Sequence, residues 1–434
     1  MKKNIILLAS AMLVLTACTG NGNSTPDGSA ASSKATGNGI ALKKNNEGEE
    51  VSILHPEIQR YCDDMNAAAE EQGITGDELY KIRPTDKTKE GYLCPDVFAT
   101  AYQGKDDGND RDNFEPIELE WEAEGYEGEY VLKYSTSEDL ADAKTKTVTE
   151  AKTTLINLLC DTTYYWRVES ADGAKYSETG SFHTKGSFRD ITCGPAYNVR
   201  DFGGKMTESG RKVKQGLVYR GGELTKTAFD GTIAHIQKHI VTCDDETIAV
   251  LHDELNIRTE VDLRSPGPET NNQSKSDLGD DVAFIQDATG SGYDKMWNQS
   301  SASTLAIYKD VFKKIGAATP ENAVYFHCWG GADRTGTIAF LLDGLLGVSY
   351  LEACMDYEFT SFDTIHTRIR HEAWRDNSGT YDFTSLTNGM MSSTYYAEDK
   401  TFSEVVEGWM KAKVGLTDEE ISSIRENLLE PVAE

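Results

Sequence analysis

The reactive side chains of this chain concentrate in ten consecutive residues, His327-Cys328-Trp329-Gly330-Gly331-Ala332-Asp333-Arg334-Thr335-Gly336. A cysteine at the start of a glycine-containing loop that opens a helix sits in a field of converging amides and the positive end of the helix dipole. That field favours the thiolate and should lower the thiol pKa. Arg334, six residues on, is placed to curl back and grip two oxygens of an anion with its planar fork. A phosphate held there has its phosphorus over the sulfur, the geometry of in-line attack by a thiolate.

The bare spacing is weak evidence. With Arg at roughly 5 % of residues, eight cysteines give about 0.4 chance pairs of this kind. The glycines, Thr335, Gly336 and the flanking elements make the signal specific, and none of the other seven cysteines has Arg at this spacing.

Such a loop needs a strand to deliver it and a helix to receive it. Ala323-Val324-Tyr325-Phe326 reads as the strand and Thr337 to Leu346 as the helix. Leu217-Val218-Tyr219, Glu260-Val261-Asp262-Leu263 and Val282-Ala283-Phe284-Ile285 read as further strands. Leu305, Tyr308, Phe312 and Ile315 recur on one helical face, as do Ile233, Ile236 and Ile240. Ser349 and Glu352, and Thr417 and Glu420, have capping-box spacing. Strands alternating with helices predict an α/β domain over 190–434, with a central, mostly parallel sheet flanked by helices.

The ten-residue segment resembles the phosphate-binding loop of Cys-x5-Arg protein tyrosine phosphatases, and more narrowly a bacterial group of tyrosine and dual-specificity phosphatases. Matching segments are Asn198-Val199-Arg200-Asp201-Phe202-Gly203-Gly204, Leu217 to Gly221, Ile257 to Ser265, and Asp356-Tyr357. The resemblance implies a phosphatase that needs no metal or cofactor. In it Cys328 is the nucleophile and Arg334 binds phosphate. Trp329, Gly330, Gly331, Ala332, Asp333, Arg334 and Thr335 form the cradle, and Thr335 hydrogen-bonds the thiolate. His327 orders the loop. The general acid maps to Asp333, with Asp287 or Asp294 as rivals on a mobile loop. Trp329 either meets a phosphotyrosine ring or packs. Arg200, Arg220, Arg258 and Arg264 either add positive potential or sit in structural ion pairs.

The implied partner is a phosphotyrosine protein or peptide. Phosphoinositides or inositol phosphates are the alternative, disfavoured because Ala332 stands where phosphoinositide-active relatives often carry Lys. An inactive surface binding module is the other class, and intact Cys328, Arg334 and an Asp argue against it.

Residues 92–186 have a different texture. Ile117 to Trp121 and Tyr130 to Tyr134 alternate apolar and polar, Lys144 to Thr149 is rich in Thr and Lys, and Tyr164 to Val168 is aromatic. Short strands with recurring turn signals predict an all-β sandwich. It resembles a fibronectin type III module through Trp121, Leu158, Thr163 to Val168 and Ser181 to Thr184. The resemblance puts Tyr164 at a corner where its hydroxyl bonds back to the backbone. Residues 51–91 hold an amphipathic stretch, Pro56 to Glu71, of unknown role.

The N-terminus reads as an address. Two lysines, an apolar run from Ile5 to Leu15 and Thr16-Ala17-Cys18 make a secretory signal over 1–18. Its end resembles a bacterial lipoprotein box, which implies a lipid on Cys18 and a protein exported and anchored to a bacterial membrane. Residues 19–50, rich in Gly, Ser, Asn and Lys, predict a flexible tether.

With 43 Lys+Arg against 72 Asp+Glu, the 434-residue chain carries a formal charge of −29. That argues against nucleic acid as a partner. An anionic substrate would need a local positive field of the kind the loop provides. Disulfide pairing among Cys62, Cys94, Cys160, Cys193, Cys243 and Cys354 is unreadable from their spacing.

Overall fold

The alternation at Ile117-Glu118-Leu119-Glu120-Trp121 builds a strand with one dry face, because successive side chains point to opposite sides. Trp121 and Leu119 are buried, and Glu118 is exposed. The computed structural model describes residues 37–44, 49–71, 73, 99, 102, 116–228, 240–270, 272–289, 294–362 and 383–432. The signal segment 1–18 with Cys18, residue Cys94, and Ile233 and Ile236 lie outside them. Ile240 is half exposed.

Two antiparallel sheets share one core. The first runs β1 (Ala41–Lys44), β3 (Ile117–Glu122), β6 (Lys152–Leu155). The second runs β2 (Glu50–Val51), β8 (Gly180–Thr184), β7 (Thr162–Ser170), β4 (Tyr130–Ser135), β5 (Lys144–Val148), with β2 parallel to its neighbour. Trp121, Trp166, Leu132, Val168 and Phe182 fill the space between them. The Leu159 N–H donates to the Tyr164 hydroxyl over 2.9 Å, the corner bond expected of that tyrosine.

Two expected boundaries are corrected. The tether predicted over 19–50 stops short, because β1 pairs with β3 and β2 pairs with β8. The module predicted from 92 therefore takes two of its strands from upstream of the helix. Ile40-Ala41-Leu42 is too short an apolar run among Gly, Lys and Asn to announce a strand.

The stretch 51–91, of unknown role in the sequence, contributes α1 (Pro56–Glu71). Its Ile58, Tyr61 and Met65 are buried with Phe188, Met355, Phe359 and Phe362. The Tyr61 hydroxyl donates to buried Glu358 over 2.6 Å. Thus α1 is packed onto the downstream half.

That half is mixed α/β. Its sheet runs β12 (Ala283–Gln286), β11 (Ile257–Asp262), β13 (Ala323–His327), β10 (Val218–Gly221), β9 (Arg200–Asp201). All neighbours are parallel except β9 with β10, matching the mostly parallel prediction. Around it lie α2 (Ala302–Ile315), α3 (Arg334–Leu346), α4 (Tyr350–Phe359), α5 (Phe383–Met391), α6 (Phe402–Trp409) and α7 (Asp418–Leu428).

The predicted face of α2 is the packed one, with Tyr308, Phe312 and Ile315 buried and Leu305 partly so. Helix α3 is buried all round from Thr335 to Leu346. Thr417 and Glu420 form a full capping box. Ser349 caps α4, but Glu352 turns its carboxylate to the Met206 N–H instead of completing the box.

The sandwich and the α/β half are joined by reciprocal bonds. Asn157 exchanges two hydrogen bonds with the Thr192 backbone, and Gln215 does the same with Cys160. Buried Arg189 donates to the Asn157 carbonyl at 2.6 Å and to Asp201 at 2.8 Å.

Removing the corner hydroxyl strands a backbone donor. Tyr164→Phe should lower stability by about 1–2 kcal/mol, read as a lower urea midpoint with an unchanged m-value. A midpoint within error of wild type would show that Leu159 finds another acceptor.

Candidate active site

β13 ends at His327, and Cys328 begins the loop at the carboxyl edge of the sheet, between the ends of β11 and β10. α3 starts at Arg334, three residues earlier than predicted. Every loop residue expected at the site is therefore brought together: Cys328, Trp329, Gly330, Gly331, Ala332, Asp333, Arg334 and Thr335. Gly331 has φ +67°, in the left-handed region, and a Cβ there would lie 2.5 Å from the Gly221 backbone.

Three consecutive loop carbonyls have donors from other segments. The Trp329 carbonyl accepts from the Tyr197 hydroxyl and the Glu223 N–H, each at 2.9 Å. The Gly330 carbonyl accepts from Asn198 Nδ2 at 2.9 Å, and the Gly331 carbonyl from Arg220 Nη2 at 2.9 Å. In a trans peptide the C=O of one residue and the N–H of the next point in opposite directions. Turning these three carbonyls outward therefore turns the N–H groups of Gly330, Gly331 and Ala332 inward. An inward ring of amides at a helix N-terminus is an anion cradle.

Cys328 is 3 % exposed. Burial raises its pKa. The Arg334 guanidinium, the Thr335 hydroxyl and the Thr335 N–H outweigh burial, so the thiol titrates below its ordinary value. The Thr335 hydroxyl is buried with no hydrogen-bond partner, and it is among the groups that lower the Cys328 pKa. Burial would lower the Arg334 pKa, but Cys328 and Glu269 hold it up. Arg334 pairs with Glu269, which sits in a short turn of 3-10 helix, Pro268–Thr270.

His327 is fully buried. Its Nε2 lies 2.9 Å from Glu260 and its Nδ1 3.1 Å from the Cys328 carbonyl. Burial would lower its pKa, but Asp262 and Glu260 raise it. These contacts tie it to the loop backbone and the neighbouring strand.

Asp333 is half-buried and caps α3 without a side-chain bond to the first turn. Asp287 follows β12, two strand spacings from β13, about 10 Å sideways. Burial raises its pKa above the usual carboxylate range, with Lys314 opposing, and its Oδ2 is buried without a partner. Asp294 opens a short helix, and its side chain lies outside the described residues.

The four other arginines take the structural option. Arg200 and Arg220 pair with Asp356, Arg258 with Asp281, and Arg264 with Asp262 and Glu223. Ala332 is buried, and Trp329 is half exposed at the loop's edge. The described cysteines, Cys62, Cys160, Cys193, Cys243, Cys328 and Cys354, carry thiols and form no disulfide with one another.

Sequence reasoning missed the loop's braces, Tyr197, Asn198, Arg220 and Glu223, and the Arg334 partner Glu269. Asn198 and Arg220 lay in segments already matched to the family, so their signal was present without its geometry. Glu269 lies in a Pro- and Gly-rich turn with no periodicity to mark it.

Residues 191–430, more than half of the chain, match the model of the tyrosine phosphatase family. The chain belongs to that family. It is 37 % identical over 87 residues to a tyrosine-protein phosphatase of Nostoc commune, covering 20 % of this chain and 28 % of that one. It is 24 % identical over 185 residues to a putative tyrosine-protein phosphatase of Cupriavidus necator, covering 39 % of this chain and 62 % of that one. The chain thus spans less than two thirds of either relative.

Two variants probe the cradle. Arg334→Met should raise the pH midpoint of Cys328 alkylation by iodoacetamide by about 1–2 units. Gly331→Ala should weaken protection by inorganic phosphate at least about tenfold. Wild-type behaviour in both would mean that the loop does not set the thiolate.

Proposed function

We propose that this member of the tyrosine phosphatase family is an exported, lipid-anchored enzyme that hydrolyses phosphomonoesters, with phosphotyrosine preferred, through a phosphocysteine intermediate. One observation carries the chemistry: a buried cysteine with a depressed pKa lies in a loop whose Trp329, Gly330 and Gly331 carbonyls are braced outward. The Cys328 thiolate attacks phosphorus, the P–S bond forms and the P–O bond to the leaving group breaks. Arg334 and the inward amides hold the equatorial oxygens as charge redistributes. Asp333, inside the loop, gives its proton to the leaving oxygen. Its carboxylate then takes a proton from water, water attacks phosphorus, and the P–S bond breaks to return the thiolate. The Thr335 hydroxyl stabilises the sulfur as it leaves.

Depth favours phosphotyrosine. Cys328 is 3 % exposed, so its sulfur is reached by a phosphate on a long, flat ring more readily than by one on the short stem of phosphoserine. Trp329 flanks that ring. A single phosphate suits the site, because Ala332 adds no cation and the neighbouring arginines are already paired.

Asp287 is the rival acid, favoured by its raised pKa and unpartnered oxygen. The upstream sheets fit a fibronectin type III-like spacer, a reading supported by the Tyr164 corner bond. Export and anchoring rest on residues 1–18 and a lipid on Cys18.

Purified protein should hydrolyse a phosphotyrosine peptide at least about tenfold faster than the phosphoserine equivalent, and Cys328→Ser should abolish both activities. Residual turnover in Cys328→Ser would sink the mechanism. Asp333→Asn should cost about 10²–10⁴-fold with a poor leaving group and little with an activated one. That pattern in Asp287→Asn instead would reassign the acid. Cys18→Ala should move the protein from the membrane to the soluble fraction of a bacterial host, and an unchanged membrane fraction would refute lipid anchoring.

A further inference from the structure

Two of the loop's braces lead back to one carboxylate. Asp356 in α4 is 3 % exposed. Its Oδ2 accepts from Arg220 Nη1 at 2.5 Å, and the Nη2 of the same arginine donates to the Gly331 carbonyl at 2.9 Å. Its Oδ1 accepts from Arg200 Nε at 2.8 Å, and its backbone carbonyl from Arg200 Nη2 at 2.7 Å. Arg200 Nη1 in turn donates to Asn198 Oδ1. A guanidinium has only donors, so it fixes the amide: Oδ1 must face Arg200, and Nδ2 is left for the Gly330 carbonyl at 2.9 Å. Consecutive carbonyls, Gly330 and Gly331, are thus each held by an arginine that Asp356 orients, one directly and one through Asn198.

We infer that Asp356 is the positioning residue of the phosphate loop. Arg200 and Arg220 are buried like charges that repel each other unless an anion lies between them. Asp356 supplies that anion, with Lys205 Nζ at 3.9 Å and its own partner Asp343 behind. Without the carboxylate the two guanidiniums move apart. Both carbonyls then lose their fixed donors, and the N–H groups of Gly331 and Ala332 no longer converge. The consequence for chemistry reaches Cys328 through the loop backbone, since the thiolate depends on that field.

The turnover consequence rests on the phosphatase reading, whereas the thiolate consequence does not. The test therefore follows the pH profile of Cys328 alkylation by iodoacetamide, read by mass spectrometry of the Cys328 peptide, alongside melting temperature and inhibition by inorganic phosphate. Asp356→Asn should raise the alkylation midpoint by about one pH unit and weaken phosphate at least about tenfold. Asp356→Glu, which keeps the charge, should recover most of both. Leu345→Ala, a core truncation near the far end of α3, should lower the melting temperature and leave the midpoint alone.

A folded Asp356→Asn with the wild-type midpoint overturns the inference, as does an equal shift in Leu345→Ala. If Asp356→Asn does not fold, Arg220→Lys decides. Its single ammonium keeps the pair with Asp356 but cannot also span to the Gly331 carbonyl, so the midpoint should rise, and an unmoved midpoint overturns the inference. Failure of the wild type to hydrolyse any phosphomonoester would sink the proposed activity and leave the alkylation result to stand on its own.

Discussion

A loop that binds an anion with its amides must find other partners for its carbonyls. Each peptide plane carries both groups, aimed in opposite directions, and a buried carbonyl without a donor costs about 1–3 kcal/mol. The Cys328 loop meets that constraint with donors from three places: the Tyr197-Asn198 segment, the end of β10 and the Glu223 backbone. Much of the architecture around the loop follows from it. β10 must lie beside β13 to bring Arg220 under Gly331. Gly331 must lack a side chain, since a Cβ there would strike the Gly221 backbone, and Gly221 must lack one because its own Cβ would strike the Tyr325 hydroxyl. The antiparallel β9 places Arg200 opposite Arg220 in register, so that both reach one carboxylate.

The chain is strongly acidic, yet behind the loop it buries cations. Arg200, Lys205, Arg220 and Arg264 are each 2 % exposed or less. Buried charges are rarely a net source of stability, because desolvation offsets their attraction. Their value here is geometric: a guanidinium has several fixed donors, so one arginine can satisfy a carboxylate and a loop carbonyl at once. The electrostatics agree. Burial alone would raise the Asp356 carboxyl, but Arg220, Lys205 and Arg200 hold it far below the usual range. Burial and then Arg200 bring Arg220 down to about 10, with Asp356 opposing. Asp343, raised to about 7 mainly by burial, and Glu352, likewise raised to about 7, have no comparable set of guanidinium partners.

Much of this was legible in the sequence, for identifiable reasons. The strands β10, β11, β12 and β13 were marked by short apolar runs, and α2 by a helical repeat. The loop was marked by residue types whose joint presence chance does not supply. What escaped notice depends on contacts between distant segments. Asn198 and Gly330 are 132 positions apart, Arg220 and Asp356 136, and Tyr61 and Glu358 297. No local periodicity encodes such pairs. β1 escaped because an edge strand needs only one good neighbour, and Leu42 packing against the sandwich core does not require a long apolar run.

Helix α4 shows how the distant pieces act on one another. On one face it presents Met355, Phe359 and Glu358 to α1, where Tyr61 meets Glu358 and the edges of the Phe359 and Phe362 rings. From the same helix Asp356 reaches the two arginines beneath the loop. The upstream helix is therefore packed against the element that carries the loop's anchor, and Phe188, at the junction of the sandwich and the α/β half, stacks on Phe359 at 4.4 Å. A spacer loosely strung before an enzyme would leave α4 one bare face. Here the upstream residues cover it, and a carboxylate that must stay in place to hold two buried cations lies on a helix packed from both sides.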